Sequence, residues 1–143
     1  MKQLTHLWLN ENHIKRIEGL GELGSLTKLN MHNNEISEIE NLDGLTSLEV
    51  LLLSENQIKE IKNLEKLGSL RDLNLAMNNI QEIGNSLRGL KSLEEINLSG
   101  NKICSISEIM KLKKIKSLKV ISFFDPHFGE NPICKIYNYQ VTK

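Results

Sequence analysis

A chain of 143 residues with zero formal net charge, 39% hydrophobic and 25% charged, suits one domain with its own core. Aromatics make up only 4%, so that core is aliphatic, and nine Gly and two Pro exclude a collagen-like or low-complexity chain. No run of about 18 apolar residues marks a membrane span, and Met1-Lys2-Gln3-Leu4-Thr5-His6 lacks the apolar stretch of a secretory signal.

The chain is organised by a repeat. Leu4, Leu26, Leu48, Leu70, Leu93 and Leu118 open successive segments, spaced 22, 22, 22, 23 and 25 residues apart. In chain order, the first carries Leu7, Leu9, Asn12, Ile14, Ile17, Leu20 and Leu23. The second carries Leu29, Met31, Asn34, Ile36, Ile39, Leu42 and Leu45. The third carries Leu51, Leu53, Asn56, Ile58, Ile61, Leu64 and Leu67. The fourth keeps Leu73, Leu75, Asn78, Ile80 and Ile83, then gains one residue before Leu87 and Leu90. The fifth has Ile96, Leu98, Asn101, Ile103 and Ile106, then a longer apolar stretch through Ile115. The L-x-L alternation predicts a short strand with one buried face. Apolar residues at every third position predict a tight return turn with one inward stripe. One coil cannot bury its own leucines, so the coils must stack and their strands must form one parallel sheet.

Two further elements are predicted in the longer coils. Ser105-Ile106-Ser107-Glu108 reads as a capping box opening a helix through about Ser117. Asn85 to Lys91 reads as a shorter helical turn. The asparagine column Asn12, Asn34, Asn56, Asn78, Asn101 falls where the chain leaves the strand and turns inward. Unpaired backbone groups there would cost about 1–3 kcal/mol each. A side-chain amide carries both donors and an acceptor, so it can satisfy them. The column is therefore structural.

On these residues the chain resembles the leucine-rich repeat family, in its 22-residue, SDS22-like class. The fold expected is an α/β leucine-rich repeat solenoid, a right-handed superhelix of about six coils. Its concave side is a parallel β-sheet, and its convex side holds turns, 3-10 and short α-helices. The whole chain, 1–143, is expected to be one such domain, with repeats 4–25, 26–47, 48–69, 70–92, 93–117 and 118–143. Asn131-Pro132-Ile133-Cys134 with Asn138-Tyr139 resembles the start of the family's C-terminal cap, after an apparent insertion of Phe124 to Glu130. The resemblance implies a cytoplasmic scaffold that binds a protein partner and performs no chemistry, in a class that has ciliary members. The alternative is an architectural spacer within a longer repeat array. The chain begins on a strand and stops soon after Asn138-Tyr139, which suggests a segment of such an array, with uncapped ends open to end-to-end self-association.

In this unit the residues between the buried leucines line the concave face. The first column reads His6, Lys28, Val50, Asp72, Glu95, Val120. The next reads Trp8, Asn30, Leu52, Asn74, Asn97, Ser122. A third reads Asn10, His32, Ser54, Ala76, Ser99, Phe124, and the loop beyond it Glu11, Asn33, Glu55, Met77, Gly100, Asp125. The expected partner-binding residues are Trp8, Lys28, Asn30, His32, Val50, Leu52, Asp72, Asn74, Met77, Glu95 and Phe124. Leu52 is the sharpest of them, because no rule of the fold asks for an apolar residue there. Trp8, the chain's one tryptophan, either anchors a partner or roofs the open N-terminal end.

No catalytic residue, metal site or cofactor is expected. His6, His13, His32 and His127 follow no ligand spacing, and Cys104 and Cys134 form no C-x-x-C pair. If the insertion loops out, the two cysteines occupy equivalent places in adjacent coils. Residues 1–101 hold 10 Lys/Arg against 15 Asp/Glu, and residues 102–143 hold 8 against 3. That basic end reads as a solvated face or a docking site for an acidic partner. Without interleaved aromatics it does not read as a nucleic-acid site.

Overall fold

A computed structural model describes residues 3–136, and it is a solenoid built on one parallel sheet. Asn138-Tyr139 of the cap-like signature lies outside the described residues. Six strands of three residues each follow one another across the sheet: β1 (His6–Trp8), β2 (Lys28–Asn30), β3 (Val50–Leu52), β4 (Asp72–Asn74), β5 (Glu95–Asn97) and β6 (Val120–Ser122). Every neighbouring pair is parallel and in the same register, so Leu7, Leu29, Leu51, Leu73, Ile96 and Ile121 form one row. Side chains alternate along a strand, so this middle row enters the core while the flanking residues face outward. Leu29, Leu51 and Leu73 are 0% exposed and Ile96 1%, whereas Ile121, on the last strand, is 42% exposed.

The return path explains the three-residue spacing. Leu23 N–H donates to the Leu20 carbonyl (3.0 Å) and Leu26 N–H to that of Leu23 (2.9 Å). The same paired turns recur at Leu42–Leu45–Leu48 and Leu64–Leu67–Leu70. Each turn closes over three residues, so one leucine per turn points inward. Together with the isoleucines they form one continuous aliphatic core.

The asparagine column is the second organising device. Asn56 Oδ1 accepts from Ile36 N–H of the preceding coil (2.9 Å). Its Nδ2 faces the carbonyls of Met31, Leu53 and Ser54 at 3.1–3.2 Å. Asn34, Asn78 and Asn101 repeat this pattern, and Asn131 adds a sixth rung by accepting from Ile103 N–H (3.0 Å). Asn12 opens the column. It is exposed, and among the described residues its side chain bonds only the Leu9 and Asn10 carbonyls of its own coil. The residue after each rung also donates to the coil before, as Glu35 does to Ile14 O and Lys102 to Ile80 O. Pro132 has no N–H, so Ile133 N–H takes over and bonds Ile103 O (3.0 Å).

Just before each of the first five rungs the backbone turns left-handed, at Glu11, Asn33, Glu55 and Met77 (φ 53–55°) and at Gly100 (φ 65°). A second column turns left-handed at Gly19, Asn41, Asn63 and Gly84. There Asn41 Nδ2 donates to Ile17 O (2.7 Å) and Asn63 Nδ2 to Ile39 O (2.8 Å). Both stitch one return turn to the previous one, a role the sequence pattern did not single out.

The longer coils hold the helical pieces. A 3-10 helix spans Ser86–Gly89, and α1 spans Ile106–Leu112, capped by Ser105 Oγ accepting from Ser107 N–H (3.3 Å). This helix ends at Leu112 rather than near Ser117, because Lys113 and Lys114 already turn toward the next strand, with Ile115 N–H on Leu112 O (3.0 Å). The expected capping box is also incomplete. Glu108 is buried and reaches across to the previous coil, accepting from Ile83 N–H (2.9 Å) and pairing with Lys111 Nζ (2.6 Å). Burial pushes its pKa up. The Lys111 ammonium and the Ile83 and Gly84 amides pull it down more strongly, leaving it below the usual carboxylate value.

In Asn56→Ala, four interior backbone groups lose their partner, so urea unfolding should show a loss of about 2–4 kcal/mol. Asn12→Ala should lose under about 1 kcal/mol, because its partners are exposed. The stability that Glu108 adds is complete above its unfolded pKa of about 4.3 and disappears as the pH falls through its lower folded value. The gap in Tm between the wild type and Glu108→Gln should therefore close on acidification.

Candidate functional site

The outward rows of the six strands make one continuous face. Register places His6, Lys28, Val50, Asp72, Glu95 and Val120 in one row, and Trp8, Asn30, Leu52, Asn74, Asn97 and Ser122 in the next. The strands are held from behind by a packed core, so these side chains stand on a fixed frame.

Trp8 is 55% exposed and stacks on His6 along its own strand, with ring centroids 5.5 Å apart and planes within 9°. Asn30, Asn74 and Asn97 all cap the end of their strand. Their Oδ1 atoms accept from the N–H two residues on, at His32, Ala76 and Ser99 (3.0–3.1 Å). These are Asx turns. Asn30 is itself buried, so its expected role as an exposed contact residue gives way to this structural one. Leu52 occupies the same column and has no acceptor to offer Ser54 N–H. Three of the six strands place an asparagine in this column, and β3 places a leucine, half-buried like Val50 beside it.

The third column differs from the sequence expectation. Ser54, Ala76 and Ser99 are buried rather than presented outward, because the chain is already curling into the asparagine turn. The Ser99 hydroxyl has no hydrogen-bond partner among the described residues. His32, at the same position, is half-buried and lies 3.7 Å from Glu11. Met77 and Phe124 are each 44% exposed. Phe124 has left the main sheet and opens a separate antiparallel hairpin, β7 (Phe124–Asp125) with β8 (Gly129–Glu130).

The hairpin is the insertion seen in the sequence. Its turn is set by Asp125 Oδ1, which accepts from His127 N–H (2.8 Å) and Phe128 N–H (3.3 Å). Its base is closed where Asn131 N–H and Nδ2 both meet Phe123 O. It folds back against the loop column, so that a Cβ on Gly100 would collide with the Phe128 carbonyl and crowd Met77 Sδ. The coil then resumes through a short helix, α2 (Pro132–Ile136). Cys104 and Cys134 do fall in adjacent coils, but one is exposed, the other buried, and both are free.

Charge on the face is ordered. Lys28 lies on β2, the apolar pair Val50 and Leu52 on β3, and the carboxylates of Asp72 and Glu95 on β4 and β5. Burial raises the Asp72 pKa, Glu95 beside it raises it further, and Lys28 offsets part of the rise. An apolar hollow of about 530 Å³ lies elsewhere, at the C-terminal end of the stack, lined by Leu112, Ile115, Leu118, Ile121 and Phe123 among others. Among the described residues no group of three or more His, Cys, Asp or Glu could hold a metal ion. No helix there is long and apolar enough to cross a membrane.

Comparison with known proteins agrees with this geometry. The family described as Leucine Rich repeats (2 copies) matches residues 2–44, 46–85 and 68–111. TLR13, in its complex with ssRNA13, is 30% identical over 84% of this chain and 18% of its own, with a TM-score of 0.78. A leucine-rich repeat protein of Leptospira interrogans is 26% identical over 89% of this chain and 34% of its own, with a TM-score of 0.70. An internalin from Listeria monocytogenes shares the fold at 22% identity and a TM-score of 0.62, over 98% of this chain and 46% of its own. The chain thus spans less than half the length of each of these structures. No curated protein matches it significantly.

Gly100→Ala combines a left-handed backbone with a blocked Cβ position, so it should cost more than about 1 kcal/mol. Hydrogen exchange should then show the 124–130 hairpin released from the loop column.

Proposed function

Because the chain belongs to the leucine-rich repeat family, we propose that it is a protein-interaction scaffold that holds a partner protein against its concave sheet face. The observation that carries this reading is Leu52. At its position the neighbouring coils use asparagine to end the strand, so the leucine forgoes a turn hydrogen bond and places apolar surface in a polar row. Val50 on the same strand, and Trp8 two strands away, extend that surface. A preformed face also loses little entropy when a partner docks.

TLR13 is seen with RNA, but this face suits a protein better. RNA binding draws on lysines and arginines that neutralise phosphates. Here Lys28 is the one Lys or Arg in the two central rows, against Asp72 and Glu95. Within the family we place the chain in the SDS22-like class, on its 22-residue spacing, and so among cytoplasmic proteins with ciliary members. The insertion before Asn131-Pro132-Ile133-Cys134 further resembles leucine-rich repeat-containing protein 9, a large protein of many such repeats.

Trp8→Ala and Leu52→Ala should each weaken capture of the partner from source-cell extract about tenfold or more. Circular dichroism and Tm should stay near wild type. Unchanged capture in both variants would remove the concave face from the reading. A chain that retains no specific partner would favour the architectural spacer instead.

A further inference from the structure

Asp72 and Glu95 are direct register partners on β4 and β5. Like charges placed opposite each other on adjacent strands destabilise a sheet. Elsewhere the chain supplies a cation for such crowding. Glu94, the neighbour of Glu95, is held by Arg71 (2.8 Å) and Lys119 (3.0 Å). Glu60 and Glu82 meet in a bridge on the return side, and Lys62 Nζ lies 3.8 Å from Glu60. Asp72 and Glu95 have no ion-pair partner within 4 Å among the described residues, although Asp72 is already half-buried. Directly beside them, Val50 and Leu52 are the register partners of Asp72 and Asn74.

On the premise that the concave face is the partner surface, we propose that it takes a basic–aliphatic segment of a partner protein. A Lys or Arg side chain seats between Asp72 and Glu95, and an aliphatic or aromatic side chain packs on Val50 and Leu52. A guanidinium can offer parallel N–H donors to both carboxylates. The cation completes a site whose negative half the chain supplies alone, and it relieves the repulsion between the two acids. Strands lie about 4.8 Å apart, so the seat between β4 and β5 is about 7 Å from the apolar pair on β3. That matches residues two apart in an extended segment, or three to four apart on a helix. Lys28, on the far side of Val50, sets the direction. From β2 to β5 the segment runs acidic, apolar, basic.

A random-peptide display library selected on the full chain tests this. The wild type should enrich peptides with Lys or Arg two to four residues from an aliphatic or aromatic residue. A synthetic peptide from that set, titrated by calorimetry, should bind the Asp72→Asn/Glu95→Gln double variant at least about tenfold more weakly. Replacing the peptide's basic residue with norleucine should cause the same loss, and the two losses should not add. Acidic or uncharged selected peptides would overturn the proposal, as would equal affinity for the double variant or a selection without specific binders. Leu52→Glu separates this proposal from the broader one. A peptide lost on Leu52→Glu but kept by the double variant sinks the cation seat and leaves the concave face standing. A peptide that survives both sinks the two together.

Discussion

The structure depends on the side-chain amide of one asparagine per coil. Each coil must bend its backbone inward through a dry interior, where every N–H and C=O needs a partner. The amides of Asn34, Asn56, Asn78 and Asn101 meet that need within their own coil and across to the previous one. The leucines drive the coils together, but they would do so in many registers. The asparagines tie each coil to the previous one at a single height, so the strands fall into one unbroken parallel register.

That division of labour leaves much of the sheet face free. Folding uses the middle residue of each strand, the turn leucines and the ladder asparagines, and of the flanking strand positions it uses those where Asn30, Asn74 and Asn97 close a turn. The chain has filled the other flanking positions unevenly: a Trp–His stack at one end, a cation, an aliphatic pair, then two acids. Such an order costs the fold a little, through a missing turn hydrogen bond at Leu52 and a like-charge pair at Asp72 and Glu95. Departures of this kind are what an interaction surface looks like on an otherwise self-consistent scaffold.

The repeat period, the strand and core positions, and the asparagine column were legible in the sequence because each recurs with the coil and has one physical meaning. The two central outward rows were legible for the same reason, since alternation along a strand sets which side chains point out. The third column was not. Whether Ser54, Ala76 and Ser99 face solvent depends on how early the backbone curls inward, and small residues fit either environment. The stitches at Asn41 and Asn63 could have been found, because Gly19, Asn41 and Asn63 recur at 22 residues and these are residue types that accept left-handed backbone. The target of Glu108 and the docking of the 124–130 hairpin on Gly100 lay beyond sequence reasoning. Both depend on contacts between irregular segments of adjacent coils, and those segments have no period.

Pro132 gives the stack a direction. In the inner coils the isoleucine N–H after each rung stays available for the next asparagine, as Ile58 N–H is for Asn78 and Ile80 N–H is for Asn101. At Ile133 that hydrogen is already committed to Ile103 O, because the imino acid ahead of it could not donate. A further coil laid beyond this point could match strand to strand, but its asparagine would find the donor taken, a deficit of about 1–3 kcal/mol. Pro132 thus leaves the last rung of the described ladder one donor short of what the inner coils offer one another.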